Sequence, residues 1–104
     1  MVGEFGSYQR SRTSRQSPGF DVLVDRFNHG AAELVIACPI TSKAKGIPTH
    51  VEVDSPEGGL SFRSFIKCED VRSISKARLL NRFGAVSSET MRKVEERLAI
   101  LLGI

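Results

Sequence analysis

The chain has 104 residues, enough for one domain with a core and too few for a catalytic domain beside a separate binding domain. Its formal charge of +3 (15 Lys and Arg against 12 Asp and Glu) and pI near 9.2 lean toward a polyanionic partner, but the excess is too small for a purely electrostatic nucleic-acid binder. No apolar run approaches the roughly 18 residues of a membrane span, and the first residues lack the apolar core of a signal peptide, so a soluble, cytoplasmic protein without membrane contact is expected.

Residues 1–17 (MVGEFGSYQRSRTSRQS) are rich in Ser, Gly and Arg and keep no period. They read as a variable, partly mobile segment, either a degenerate first strand or a tag remnant, ahead of a domain over 18–104. Arg10, Arg12 and Arg15 either follow a phosphate backbone or form a solvated basic tail. From Phe20 onward the runs FDVLVD, ELVIACPI, THVEV and SFIKCEDV are short and β-branched. Turn signals separate them at Asn28-His29-Gly30, at 46–48 and at SPEGG over 55–59. This spacing predicts a small β-barrel. In THVEV, Thr49, Val51 and Val53 should share one face, leaving His50 and Glu52 solvated on the other. Cys38 and Cys68 each lie in an apolar run without CxxC spacing and read as reduced core residues. SKARLLNRF (75–83) suggests a short helical turn. Beyond it, Ser87 can cap a helix and Glu89 suits its first turn. Met91, Val94, Leu98, Leu101 and Leu102 then recur at three- and four-residue steps, opposite Arg92, Lys93, Glu95 and Glu96. Such an amphipathic helix packs on the barrel or pairs with a second copy.

Several chemistries lack support. No nucleophile-elbow context surrounds the Ser, His and Asp residues, and metal ligands are scattered, so neither a triad nor a metal or cofactor is expected. Glu69 and Asp70 are adjacent, which on a strand sends them to opposite faces. With no Trp and one Tyr, the chain is a poor peptide-groove adaptor. Hydroxyls and cations remain. CPITSKAKGIPTHVEV over 38–53 places Thr41 and Ser42 at a strand end with Lys43 and Lys45 following, a composition suited to a phosphate. Arg72 and Ser73, read as the end of a second strand, would complete a grip on a phosphodiester.

The segments DRFN (25–28), ELVIACPITS (33–42), GIPTHVEV (46–53), GGL (58–60), SFIKCEDVRSISKARL (64–79) and the ending VEERLAILLGI, in that order, strongly resemble the MazF/PemK toxin family. The resemblance implies a β-rich α+β fold, an SH3-like small barrel of the MazF/CcdB type with a C-terminal amphipathic helix, assembled as a homodimer. It further implies the toxin of a type II toxin-antitoxin system, a metal-independent endoribonuclease that cuts single-stranded mRNA at short sequences. A cognate MazE-like antitoxin, with which such toxins bind DNA, would place its tail in the RNA groove. Thr41 falls on the threonine this family uses at the cleavage site. Asn28, Ser42, Lys43, Lys45, Arg72 and Ser73 fall along the RNA.

One departure bears on activity. Family members carry an Arg-Pro dipeptide whose arginine is the main catalytic cation; here Pro18 is kept and Ser17 stands before it. Asp21 falls inside an otherwise apolar strand, and Leu23 where a small polar residue is usual. Arg15 can substitute for the missing arginine if its loop bends toward Thr41. Two functions remain open: a ribonuclease toxin, weakened or not, and a dimer of the same fold that binds RNA or sequesters an antitoxin without cutting.

Overall fold

The computed structural model describes residues 6–10, 19–24 and 33–104. Seven strands form an antiparallel sheet: β1 (Gly6–Arg10), β2 (Gly19–Leu23), β3 (Leu34–Thr41), β4 (His50–Val53), β5 (Ser64–Lys67), β6 (Arg72–Ser75) and β7 (Leu79–Ala85). One helix, α1 (Ser88–Leu102), follows. The sheet order is β4-β5-β3-β2-β1-β7, with β6 also paired to β3. None of the described helices is long and apolar enough to cross a membrane.

Strand β3 organises the sheet. One edge pairs with β2 over Ala37 to Ile40; the other pairs with β6 over Leu34 to Ala37 and with β5 at Ile40 and Thr41. The change of partner falls at Cys38 and Pro39, and a proline has no N–H to give to a ladder. Alternation then sorts the side chains. Val22, Cys38, Val51, Val53 and Ile66 belong to the main core with Met91, Val94 and Leu98 of α1. Leu23, Val35, Ala37 and Ile74 form a smaller cluster with Leu79 on the other side. Asp21, the polar residue in β2, is fully buried opposite Pro39.

The expected class holds, an antiparallel sheet with one C-terminal helix, but the sheet is not closed by a ladder: among the described residues β4 and β7 remain its two ends. An open cleft of about 400 Å³ runs along the surface between β4 and α1, lined by His50, Glu52, Arg92, Lys93, Glu96 and Arg97. On β7, a 3-10 turn at Glu57–Gly59 packs so closely that a Cβ on Gly84 would lie 2.7 Å from the Gly59 nitrogen. The helical turn expected over 75–83 is confined to a 3-10 turn at Lys76–Arg78, and Leu79 onward is strand β7. Pairing with β1 overrides the helical propensity of ARLL.

Helix α1 starts and stops where its sequence dictates. The Ser87 hydroxyl accepts the Thr90 N–H at 3.1 Å, and the Ser87 N–H donates to Glu57 Oε2 at 2.8 Å, tying the helix start to the Glu57–Gly59 turn. Gly103 adopts φ +73°, and Ile104 N–H reaches Ala99 O while Gly103 N–H reaches Ile100 O, a Schellman ending. Leu101 and Leu102, grouped by spacing with the packing face, are exposed with Ile100 and Ile104 beyond the last buried residue, Leu98.

Candidate active site

Thr41 is the last residue of β3 and is half-buried. The chain then leaves the sheet through an exposed loop in which Gly46 takes φ +63°. The Lys43 N–H donates to Thr41 Oγ1 at 3.2 Å, a local turn that occupies one lone pair of the hydroxyl oxygen. The hydroxyl proton is left to donate elsewhere, and Ser42, Lys43 and Lys45 are exposed in the loop that follows. A strand-end hydroxyl with its oxygen fixed by backbone is a preorganised donor, the type of group that stabilises charge developing on a phosphorane.

Thr41 pairs with Phe65 on β5, and Phe65 pairs with Glu52 on β4, so these three share one face. The Arg63 guanidinium lies 5.4 Å over the Phe65 ring and is paired with Glu52 at 2.9 Å. The strand beside Thr41 is therefore β5. Arg72 and Ser73, read from sequence as a strand end, instead open β6 opposite Ala37 and Ile36. Arg72 lies on the Thr41 face by register but about four residues away along β3, roughly 13 Å. Ser73 lies on the opposite face. Arg15, Asn28 and Ser17 fall outside the described residues.

His50 departs from its sequence reading. Its side chain is 2% exposed, and its partner is Glu69, whose Oε2 lies 2.9 Å from Nε2. Glu69 Oε1 also accepts the Thr49 hydroxyl at 2.8 Å. Glu69 and Asp70 sit on a 3-10 turn, Cys68–Asp70, and not on the strand their sequence reading assumed, and they take different partners: Asp70 pairs with Lys67 at 2.9 Å. Burial pushes the Glu69 carboxyl up, but hydrogen bonds from Thr49, the backbone and His50 outweigh it and hold the group below its ordinary range. Sequence spacing carried no signal for this cluster, because its members lie 19 and 20 residues apart. Cys38 and Cys68 are free and fully buried in the core. Their thiol–thiol hydrogen bond, and burial, push the Cys38 thiol up, which keeps it protonated and unreactive.

A family model described as PemK-like, MazF-like toxin of type II toxin-antitoxin system matches residues 21–102. The chain belongs to that toxin family. Endoribonuclease EndoA of Bacillus subtilis (strain 168) is 39% identical over 80 residues, covering 77% of this chain and 67% of EndoA. MazF from Deinococcus radiodurans (Form-I) superposes with a TM-score of 0.80 at 21% identity, covering 99% of this chain and 97% of that one. An endoribonuclease in complex with its cognate antitoxin from Mycobacterial species gives 0.79 at 20% identity, with 100% and 97% covered. At these identities the two structures establish the fold. In this MazF-like chain the family match takes in Thr41, its loop and β6, and begins after Arg15 and Ser17.

Proposed function

We propose that this MazF-like chain is the toxin of a type II toxin-antitoxin pair and cleaves single-stranded RNA, with Thr41 at the scissile phosphate. The observation that carries the mechanism is the half-buried Thr41 hydroxyl, its oxygen held by the Lys43 N–H beside an exposed Lys43 and Lys45. The nucleophile is the RNA's own 2′-OH, so no metal is required. The site has to take the 2′-OH proton as the 2′ oxygen bonds to phosphorus, stabilise the charge on the phosphorane, and return a proton to the 5′ oxygen as the P–O5′ bond breaks, leaving a 2′,3′-cyclic phosphate. Thr41 Oγ donates to a phosphorane oxygen, Lys43 and Lys45 hold neighbouring phosphates, and Arg72 follows the strand further along. EndoA's endoribonuclease name supports the reaction class. The cognate-antitoxin complex of the mycobacterial neighbour supports a MazE-like partner, which competes with RNA for the same face. The active form is a homodimer, because Ile100, Leu102 and Ile104 are 70%, 63% and 88% exposed at the end of α1.

The test is digestion of a long single-stranded RNA in chelator, with detection of 2′,3′-cyclic phosphate ends. Because Ser17 replaces the family arginine, the parent should cut slowly. Ser17→Arg should raise the rate by about a hundred- to thousand-fold, the value of one preorganised charge-stabilising group. Brisk cutting by the parent would show that another cation, with Arg15 first in line, already fills the role. No cutting by either protein would overturn the ribonuclease reading in favour of a dimer that binds RNA or antitoxin alone.

A further inference from the structure

The loop after Thr41 carries two lysines, yet none of its residues from Ser42 to Pro48 is buried. Its order therefore depends on how its ends are held. At the near end there is the Lys43–Thr41 bond already described. At the far end the bonds converge on three consecutive residues. Pro48 O accepts Arg97 Nε–H at 2.9 Å, Thr49 Oγ1 donates to Glu69 Oε1 at 2.8 Å, and His50 Nε2 meets Glu69 Oε2 at 2.9 Å. Glu69 thus makes two of these three side-chain ties from a single carboxylate.

A second link from Glu69 toward Thr41 is indirect and runs through the sheet. It sits on the turn directly after β5, and the His50 ring it holds lies 6.4 Å from the ring of Phe65, the residue paired with Thr41. The other His50 nitrogen, Nδ1, is buried and has no hydrogen-bond partner among the described residues. Removing Glu69 would leave both ring nitrogens buried and unbonded, so the imidazole would turn toward water and the loop end would keep only its backbone bonds, the β4–β5 ladder and Cys68 N–H to Thr49 O, and the Arg97 tie.

We propose that Glu69 is a positioning residue for RNA cleavage: by clamping Thr49 and His50 it fixes the loop over 42–48, and so holds Lys43 and Lys45 in place beside Thr41. The inference rests on the ribonuclease reading above. A loosened loop keeps its charge but loses its geometry, so the chemical step suffers more than the encounter with RNA.

Two readouts test this, the second of which needs no RNA. They are steady-state cleavage kinetics and limited trypsin digestion after Lys43 and Lys45, run on the parent, Glu69→Ala, Glu69→Gln and Glu57→Ala. If the parent is too slow, the set is made with Ser17→Arg. Glu69→Ala should lower kcat about tenfold with KM kept within about twofold, and should speed digestion at both lysines about tenfold. Glu69→Gln keeps an oxygen for Thr49 and an amide for the neutral imidazole, so it should restore both readouts to within about threefold of the parent. Glu57→Ala removes the tie to the helix start and should lower the melting temperature without moving either readout. Unchanged digestion in Glu69→Ala overturns the clamp; faster digestion with unchanged kcat overturns the positioning role. Equal effects from Glu57→Ala would reduce both to general destabilisation and overturn the proposal. Should neither background cut RNA, the ribonuclease reading fails along with the positioning role, and digestion alone still decides whether Glu69 clamps the loop.

Discussion

Replacing Thr41 by valine separates the chemistry of its hydroxyl from its part in the fold. Valine keeps the β-branched shape and the pairing with Phe65, and it removes the oxygen that accepts the Lys43 N–H. That bond is 3.2 Å long and exposed, so water takes over the freed N–H and the loss of stability should stay near or below about 1 kcal/mol. For a domain of this size that is a fall in Tm of roughly 4–8 °C. The rate should respond far more. Losing one preorganised donor to the developing oxyanion costs about 2.7–4 kcal/mol, a loss of roughly a hundred- to thousand-fold. Thr41→Ser, which keeps the hydroxyl but frees its rotor, should stay within about tenfold of the parent, about 1.4 kcal/mol. The assay is single-stranded RNA cleavage in chelator beside thermal melts, in the Ser17→Arg background if the parent is too slow to quantify. A valine variant that cuts at the parental rate would refute the role of Thr41, and one that loses activity only because it unfolds would refute the separation of site from core.

Binding of single-stranded RNA should weaken with salt, each phosphate neutralised by Lys43, Lys45 or Arg72 steepening the fall of log affinity against log salt by about 0.7; filter binding with each lysine replaced by alanine checks the slope. Met91→Ala empties a fully buried position where α1 meets the sheet and should cost about 3 kcal/mol, lowering Tm by roughly 12–24 °C in a calorimetric melt. Gly84→Ala should destabilise by about 1–3 kcal/mol in urea unfolding, because its Cβ would meet Gly59 N at 2.7 Å and Gly58 C at 2.8 Å in a turn already held at positive φ. Glu57 and Glu69 both sit below their ordinary value of 4.5: in each, burial pushes up and hydrogen bonds, from Thr90 and Ser87 or from Thr49 and His50, outweigh it. Their contributions are therefore fully present above that value and lost as pH falls through the depressed folded-state values, so Tm measured across pH should drop in acid and drop less in a Glu57→Gln, Glu69→Gln variant.

The elements legible in the sequence were those whose burial is one-sided. In α1 the three- and four-residue spacing of Met91, Val94 and Leu98 matches the buried face, and Ser87 marks its start by chemistry that depends on neighbours alone. Val51 and Val53 alternate into the core as their strand pattern requires. The pattern breaks where partners come from far along the chain. Residues 75–83 read as a helical turn in isolation, yet from Leu79 the chain is strand β7 because β1, some seventy residues earlier, offers an open edge. The change of partner along β3 is equally invisible. An uninterrupted apolar run says nothing of which strand lies on each half, so Arg72 was placed beside Thr41 when Phe65 occupies that position.

The same distinction divides the site. Thr41, Ser42, Lys43 and Lys45 fall within five residues, so a hydroxyl-and-cation reading needed only the local order of residues and the fact that a strand ends there. His50 and Glu52 lie on one side of the same strand, and alternation alone assigned both to water. The structure separates them by what stands opposite. Glu52 meets Arg63 and stays exposed, whereas His50 is covered and bonded by Glu69. A strand's alternation specifies a face; the elements packed on that face determine whether it is wet. The turn at Cys68–Asp70 supplies that cover over His50, and it converts an ordinary polar position into the anchor of the loop that carries Lys43 and Lys45.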